Sequence, residues 1–251
     1  MSRLKNPTPR RSAAANRRQG WPARLWGFAW RLALLFAAGS LLLVGAYRFV
    51  PPPVTGVMAY RHFEDWQAGR GFSPMVQVWR PYDAIAPSLP LAVVASEDQL
   101  FPSHYGFDFG ALRSAVDASL QGRRLRGAST ISQQVAKNLF LWPGRSYLRK
   151  GLEAWFTVLI EALWSKRRIM EVYLNIAEWG DHLFGAEAAS QRYFRKPAAR
   201  LGGAESALLA ASLPNPRRFR PDKPSGYLLM RQQWIAQQMQ RLGAGYASWD
   251  E

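Results

Sequence analysis

Two neighbouring carboxylates, Glu97 and Asp98, follow an apolar run from Leu89 to Ala95 that only Pro90 interrupts. A carboxylate delivered to the edge of a packed core is costly unless it has a partner or a reaction to serve. Some forty residues on, Gly127-Ala128-Ser129-Thr130 opens a stretch carrying Gln133, Gln134 and Lys137, which sets a potential base against an amide-rich, cationic helix start. Arg149, Lys150 and Glu153 come next, with Arg149 and Glu153 four apart and so on one helical flank. Two carboxyls in unlike surroundings, Glu97 and Glu153, are what sugar chemistry uses to divide acid and base roles. Cations beside them suit a leaving group that needs its charge neutralised more than it needs a proton, as a sugar pyrophosphate does.

Other chemistries are poorly served. There is no cysteine, so thiolate metal sites, thiol nucleophiles and disulfides are excluded. The three histidines, His62, His104 and His182, are scattered, and no metal site is expected. No G-x-S-x-G elbow, Walker loop or dinucleotide loop occurs.

The elements that position these residues read as helices almost throughout from Leu89 on. Phe109 to Leu120 is predicted to be a short helix, followed by a Gly122 to Gly127 loop whose three arginines suit mobility and anion contact. Thr130-Ile-Ser-Gln133 is a T-x-x-Q capping box opening a helix with Ile131, Val135 and Leu139 toward the core; Thr130, Gln134 and Lys137 share another face. The free N–H groups of that helix start suit an anion. Ser146 is placed to cap a helix from Tyr147 to Trp164, with Leu148, Leu152, Trp155, Leu159 and Leu163 as its core stripe and Glu153 between Ile160 and Trp164 on a flank. From Ser165 another helix runs to Asn175, where Glu171 pairs with Arg167 or Arg168 in a structural salt bridge. The last helix, Tyr227 to Leu242, buries Leu228, Trp234, Ile235, Met239 and Leu242 and stops at Gly243. One short strand is expected at Met75 to Trp79.

Charge is uneven along the 251 residues, whose net charge is +16. Residues 1–31 hold eight basic residues and no acid. The apolar run Leu32 to Tyr47, extended back to Leu25 across Arg31, reaches 23 residues, against the roughly 20 that span a bilayer. No small-residue cleavage site closes it and Pro51-Pro52-Pro53 ends it, so a retained anchor is expected, with the basic tail cytoplasmic and the remainder outside. That span argues against a nucleic-acid arm. From Leu32 on, 25 basic residues stand against 17 acidic ones, which favours an anionic partner.

The chain at these residues resembles the family-51 peptidoglycan glycosyltransferases. Glu97-Asp98-Gln-Leu-Phe101-Pro-Ser-His104-Tyr-Gly106 is similar to that family's E-D-x-x-F-x-x-H-x-G motif, and Gly127 to Asn138 to its G-x-S-T-I-x-Q-Q-x-x-K-N motif. Arg149-Lys150-Gly-Leu-Glu153 resembles R-K-x-x-E, and Lys166 to Asn175 resembles K-x-x-I-x-x-x-Y-L-N. The resemblance covers roughly Met75 to Leu242, with the motifs in the family's order.

It implies a mainly α, lysozyme-like glycosyltransferase domain with a smaller membrane-proximal lobe, preceded by a single transmembrane helix. The organisation so implied is a basic cytoplasmic tail (1–24), an anchor (25–50), a connector (51–74) and the glycosyltransferase domain (75–251), with no transpeptidase domain expected. The implied activity is polymerisation of lipid II into β-1,4 glycan strands, with inversion at the donor anomeric carbon and release of undecaprenyl pyrophosphate. Carried over by position, Glu97 is the general base for the acceptor 4-hydroxyl and Glu153 the second carboxylate. Lys137, Arg149 and Lys150 hold the pyrophosphate, and Ser129, Thr130, Gln133, Gln134 and Asn138 shape the donor site. His104 is expected to be a structural hydrogen-bonder near Glu97. Leu139 to Trp142 and Phe107 to Arg126 are expected near the bilayer. The resemblance implies no obligatory cofactor and leaves room for a divalent cation, Mg or Mn, at the donor pyrophosphate. The implied partners are lipid II, the lipid-linked glycan strand, the membrane and cell-wall synthesis or division proteins, with no nucleic acid. The implied location is a bacterial inner membrane, with the catalytic domain periplasmic. A lytic enzyme that cuts existing glycan, and a catalytically idle membrane scaffold, are the competing readings.

Overall fold

The computed structural model describes residues 20–121, 129–144, 146–247 and 249. Most of the basic tail and the Gly122 to Gly127 arginine loop, with Gly127 and Ala128 of the second motif, lie outside the described residues. Contacts divide the chain into two units, Met1–Leu43 and Val44–Glu251.

Helix α1 (Gly20–Tyr47) carries the first unit. Its stretch Arg24–Tyr47, with mean hydropathy 1.8, is the one helix among the described residues long and apolar enough to cross a membrane. Trp26, Leu35 and Leu42 stand exposed along it.

The second unit begins with the last turn of α1, and that turn is part of its core. Val44 is fully buried, its carbonyl accepts the Trp164 indole N–H at 2.8 Å, and Arg168 donates to the carbonyls of Tyr47 and Val50 at 2.8 and 3.0 Å. The Tyr47 ring stacks on Phe140, which stacks on Phe156 at 4.3 Å. Residues read from the sequence as a connector contain helix α2 (Gly56–Gln67), capped by Thr55 and packed against α5 (Ile131–Phe140). The expected strand shrinks to β1 (Val76–Gln77), which pairs parallel with β3 (Leu183–Phe184); β2 (Glu178–Gly180) pairs antiparallel with β3 on its other edge.

Helix α3 (Ser88–Glu97) organises the rest. Every residue from Leu89 to Ala95 is buried, as an all-round apolar helix requires. Pro90 sits in the first turn, where its missing N–H breaks no helical bond. Leu89, Val93 and Val94 join a core built from α5, α6 (Tyr147–Leu163), α7 (Lys166–Ile176) and α8 (Ala186–Phe194). Leu91, Ala92 and Ala95 join a second core with α9 (Gly203–Ser212) and α10 (Gly226–Leu242). The helix that ends at Glu97 thus lies in the seam between two cores. Helix α4 (Phe109–Leu120) has its predicted bounds.

Three packing expectations need correction. On α6 the expected Leu152, Leu159 and Leu163 pack partly buried against the core, whereas Leu148 is 73% and Trp155 38% exposed, and the buried residues are Glu153, Phe156, Thr157 and Ile160. The helix is therefore turned so that the flank carrying Glu153 faces inward. Leu139 and Leu141 are buried and only Trp142 of that segment is open, because the end of α5 closes over the core. On α10, Trp234 lies outside the buried stripe of Leu228, Ile235 and Met239. In the Phe107 to Arg126 region, Phe109 and Leu112 are exposed, and residues 122–126 lie outside the description.

Candidate active site

The two carboxylates at the end of α3 have different work. Asp98 is buried and accepts the Ile131 N–H at 3.0 Å and the His104 Nε2–H at 3.0 Å. His104 Nδ1 accepts the Gly106 N–H at 3.1 Å, so both ring nitrogens are occupied and His104 is structural, beside Asp98. Gly106 explains the glycine of its motif: φ is +85°, a Cβ there would meet Thr157 Cγ2 at 2.6 Å, and its carbonyl accepts the Thr130 hydroxyl at 2.6 Å. Asp98 therefore ties the end of α3 to the start of α5, whereas Glu97, on the same cleft, takes no part in that tie.

The start of α5 is not open to an external anion. Asp98 takes the Ile131 N–H, Thr130 Oγ1 takes the Gln133 N–H at 3.2 Å, and Gln133 Oε1 takes the Thr130 N–H at 3.1 Å. The positive end of this helix is thus neutralised by the chain's own carboxylate and capping box. Thr130 and Gln133 are buried in that box, while Ser129 is exposed and lines, with Glu97, Thr130 and Asp108, a cleft of about 140 Å³. Asn138 is half-buried on α5, one position beyond Lys137.

Glu97 is half-buried and accepts a hydrogen bond from Gln134 Nε2 at 3.0 Å. The Tyr173 hydroxyl approaches Gln134 Oε1 at 3.4 Å, which aims the amide N–H of Gln134 at Glu97. Burial pushes the Tyr173 phenol well above its ordinary range, with Glu97 and Asp98 adding to the push, so it stays a donor. Burial also pushes the Glu97 carboxyl up, while Gln134, Arg231 and Lys137 restrain the rise. A raised carboxyl is what a base working near neutrality needs.

Helix α6 supplies the cations. Ser146 caps it by accepting the Arg149 N–H at 3.2 Å. Glu153, 3% exposed, accepts from Arg149 Nη1 at 2.7 Å and is also bonded to Lys150 Nζ. Lys137, on α5, feels this cluster and Glu97 together. Burial pulls its ammonium below the ordinary range, Glu153 and Glu97 oppose the pull, and Arg149 and Lys150 add to it. Glu97, Lys137, Arg149, Lys150 and Glu153 thus form one electrostatic neighbourhood.

Sequence reasoning missed Arg231, which donates to the Ser96 carbonyl at 3.4 Å behind Glu97. Its signal was present: three residues after Leu228 and four before Ile235, it takes a position on the buried stripe of α10. Glu171 is structural, paired with Arg168 and accepting the Tyr82 N–H at 3.0 Å, while Arg167 goes to Asp83 instead. No group of three His, Asp or Glu able to hold a metal occurs among the described residues, so they form no protein-only cage for a divalent cation. A larger concavity of about 680 Å³, between Val76, His182 and Arg217, contains none of these side chains.

Comparison with known proteins gives the family of the chain. Residues 69–240 match a family described as transglycosylase. A biosynthetic peptidoglycan transglycosylase of Xanthomonas campestris pv. campestris (strain B100) is 54% identical over 220 residues, covering 86% of this chain and 89% of the relative. The protein of that name from Pseudomonas syringae pv. tomato is 54% identical over 210 residues, covering 84% and 89%. That from Chromohalobacter salexigens is 53% identical over 223 residues, covering 89% and 95%. With most of its length matched, and with Glu97, Lys137 and Glu153 all inside the matched span, the chain belongs to the transglycosylase family and to its mainly helical, lysozyme-like fold class.

Proposed function

We propose that this chain is a membrane-anchored peptidoglycan glycosyltransferase that polymerises lipid II, with Glu97 as base and the Lys137/Arg149/Lys150 cluster as the pyrophosphate site. The observation that carries the reading is the half-buried cation Lys137 on α5, in the field of both Glu97, which bonds Gln134 of the same helix, and Glu153, which bonds Arg149 and Lys150. The acceptor 4-hydroxyl gives its proton to Glu97 as its oxygen bonds to the donor anomeric carbon. The bond from that carbon to the pyrophosphate oxygen breaks on the opposite face, which inverts the centre. Lys137, Arg149 and Lys150 meet the charge that builds on the departing pyrophosphate, and partial burial strengthens the interactions of Lys137 and Arg149 more than that of the half-exposed Lys150. Gln134, held by Tyr173, orients Glu97, and Ser129 and Asn138 border the donor. Glu153 keeps Arg149 and Lys150 together until the phosphates arrive.

The cations gathered around Glu153 speak against a lytic enzyme, because they suit a charged leaving group that plain glycan cleavage does not have. The excess of basic residues in the tail supports an N-terminus in the cytoplasm and a catalytic unit in the periplasm of a bacterial inner membrane. The test is incubation of the full-length, detergent-solubilised protein with lipid II. Polymer is expected, and Glu97→Gln is expected to reduce its formation by at least about a hundredfold; a fully active Glu97→Gln would remove the assigned base.

A further inference from the structure

Glu97 is the last residue of α3, and a helix C-terminus is a poor place for a carboxylate. The exposed carbonyls and the macrodipole both put negative charge there. The end of α3 is closed by four different donors. Val93 O accepts the Ser96 hydroxyl at 3.1 Å, Val94 O the Asp98 N–H at 3.1 Å, Ala95 O the Gln99 side-chain amide at 3.1 Å, and Ser96 O the Arg231 guanidinium at 3.4 Å. Only the last donor is charged. Arg231 reaches this point from α10, on the far core from the pyrophosphate cluster, with its guanidinium 5.3 Å from the Trp234 ring centroid. Its Nε is buried and has no hydrogen-bond partner among the described residues, so the guanidinium stands at the end of α3 with donor capacity to spare.

We propose that Arg231 is a positioning residue for glycosyl transfer: it caps the carbonyl end of α3 and provides the fixed positive charge behind the Glu97 carboxylate throughout the cycle. The inference rests on Glu97 being the base. The groups facing Glu97 are Arg231 from α10, Lys137 and Gln134 from α5, Tyr173 from α7 and its own neighbour Asp98; Asp108 lines the same cleft. Of the two cations, Lys137 is the one that a bound donor pyrophosphate neutralises. Once the donor is seated on Lys137, Arg149 and Lys150, Arg231 is the cation beside Glu97 that the phosphates do not engage, and it still offsets Asp98 and the helix end. Without it, Glu97 would hold its proton at the moment it is required to accept one.

The test is the pH dependence of lipid II polymerisation by the full-length protein between about pH 5 and 9. For Arg231→Gln the acidic limb is expected to move to higher pH by about one unit. That is about a tenfold loss on the acid side, shrinking as the pH rises. Arg231→Lys should keep the wild-type limb, and Trp234→Ala, which removes the ring beside the guanidinium, should shift it the same way by less. An unmoved limb in Arg231→Gln, or an equal loss at every pH together with a lowered Tm, overturns the inference. If Arg231→Gln does not fold, an unmoved limb in Trp234→Ala overturns it. Glu97→Gln is run alongside: were it active with the same acidic limb, the base assignment itself would fail. If Glu97→Gln is inactive and the limb of Arg231→Gln is unmoved, only the role of Arg231 fails.

Discussion

Replacing Glu153 by Gln isolates what the buried carboxylate does for the cations around it. Its side chain is 3% exposed and Arg149 is 11% exposed, so this pair is shielded from solvent, whereas Lys150 is 48% exposed and its share must be discounted. Breaking a buried pair costs about 3–5 kcal/mol, and because Gln keeps one acceptor for Arg149, a loss of about 2–3 kcal/mol is expected. For a unit of this size that corresponds to a Tm lower by about 4–12 °C. The change also strips Lys137 of the strongest charge opposing its burial, so its ammonium falls further below the ordinary range. A lysine acts as a cation only below its own pKa, so the alkaline limb of polymerisation should move to lower pH. Inorganic pyrophosphate supplies the missing negative charge, and it should therefore raise the Tm of Glu153→Gln more than that of the wild type. The assays are thermal unfolding of the solubilised protein with and without pyrophosphate, and the rate–pH profile. An unchanged Tm with no extra pyrophosphate effect would refute the reasoning, because the cations would then not depend on Glu153.

Three further outcomes follow from the same geometry. Burial raises the Glu97 carboxyl above its unfolded value, so its contribution to stability is present at low pH and lost as pH rises through the folded value. Glu97→Gln should therefore be inactive yet raise the Tm at neutral pH by about 2–4 °C, with no gain at low pH, as thermal melts at two pH values would show. Gln134→Ala removes the donor that restrains the rise in Glu97. It should move the acidic limb of polymerisation to higher pH and leave the alkaline limb in place. Because the chain has no cysteine, single introduced cysteines report topology cleanly. A membrane-impermeant maleimide applied to intact spheroplasts should label Ser103→Cys and leave Ser2→Cys unlabelled; the reverse pattern would invert the proposed orientation.

Features set by short-range chemistry were legible in the sequence. The Thr130, Ser146 and Ser165 caps, the bounds of α4 and the buried run before Glu97 all follow from hydroxyl placement and apolar spacing, and the structure contains them. The small rotation of α6 toward Glu153 was not legible because Leu148, Trp155 and Val158 make its outer face apolar too. Hydrophobicity alone cannot tell which of two apolar faces meets the core. Helix α2 was hidden for a related reason: it buries Asp65 and exposes Phe63 and Trp66, reversing the pattern by which a helix is recognised. The separate duties of Glu97 and Asp98 depend on contacts with Ile131 and Gln134, more than thirty positions away. Arg231 was obscured by the same distance, since nothing local says that a stripe arginine on α10 ends beside Ser96.

The burial of Val44 and Tyr47 bears on how a soluble enzyme is to be made. Trimming at the prolines, where the hydrophobic stretch stops, would pull a plug from beneath α6 and α7, leaving the Trp164 indole and the Nε and Nη2 donors of Arg168 without their acceptors. A cut placed just before Val44 keeps that plug at the expense of a few greasy residues. Shortened forms beginning on either side of this turn should accordingly differ in yield and melting far more than seven residues would otherwise warrant.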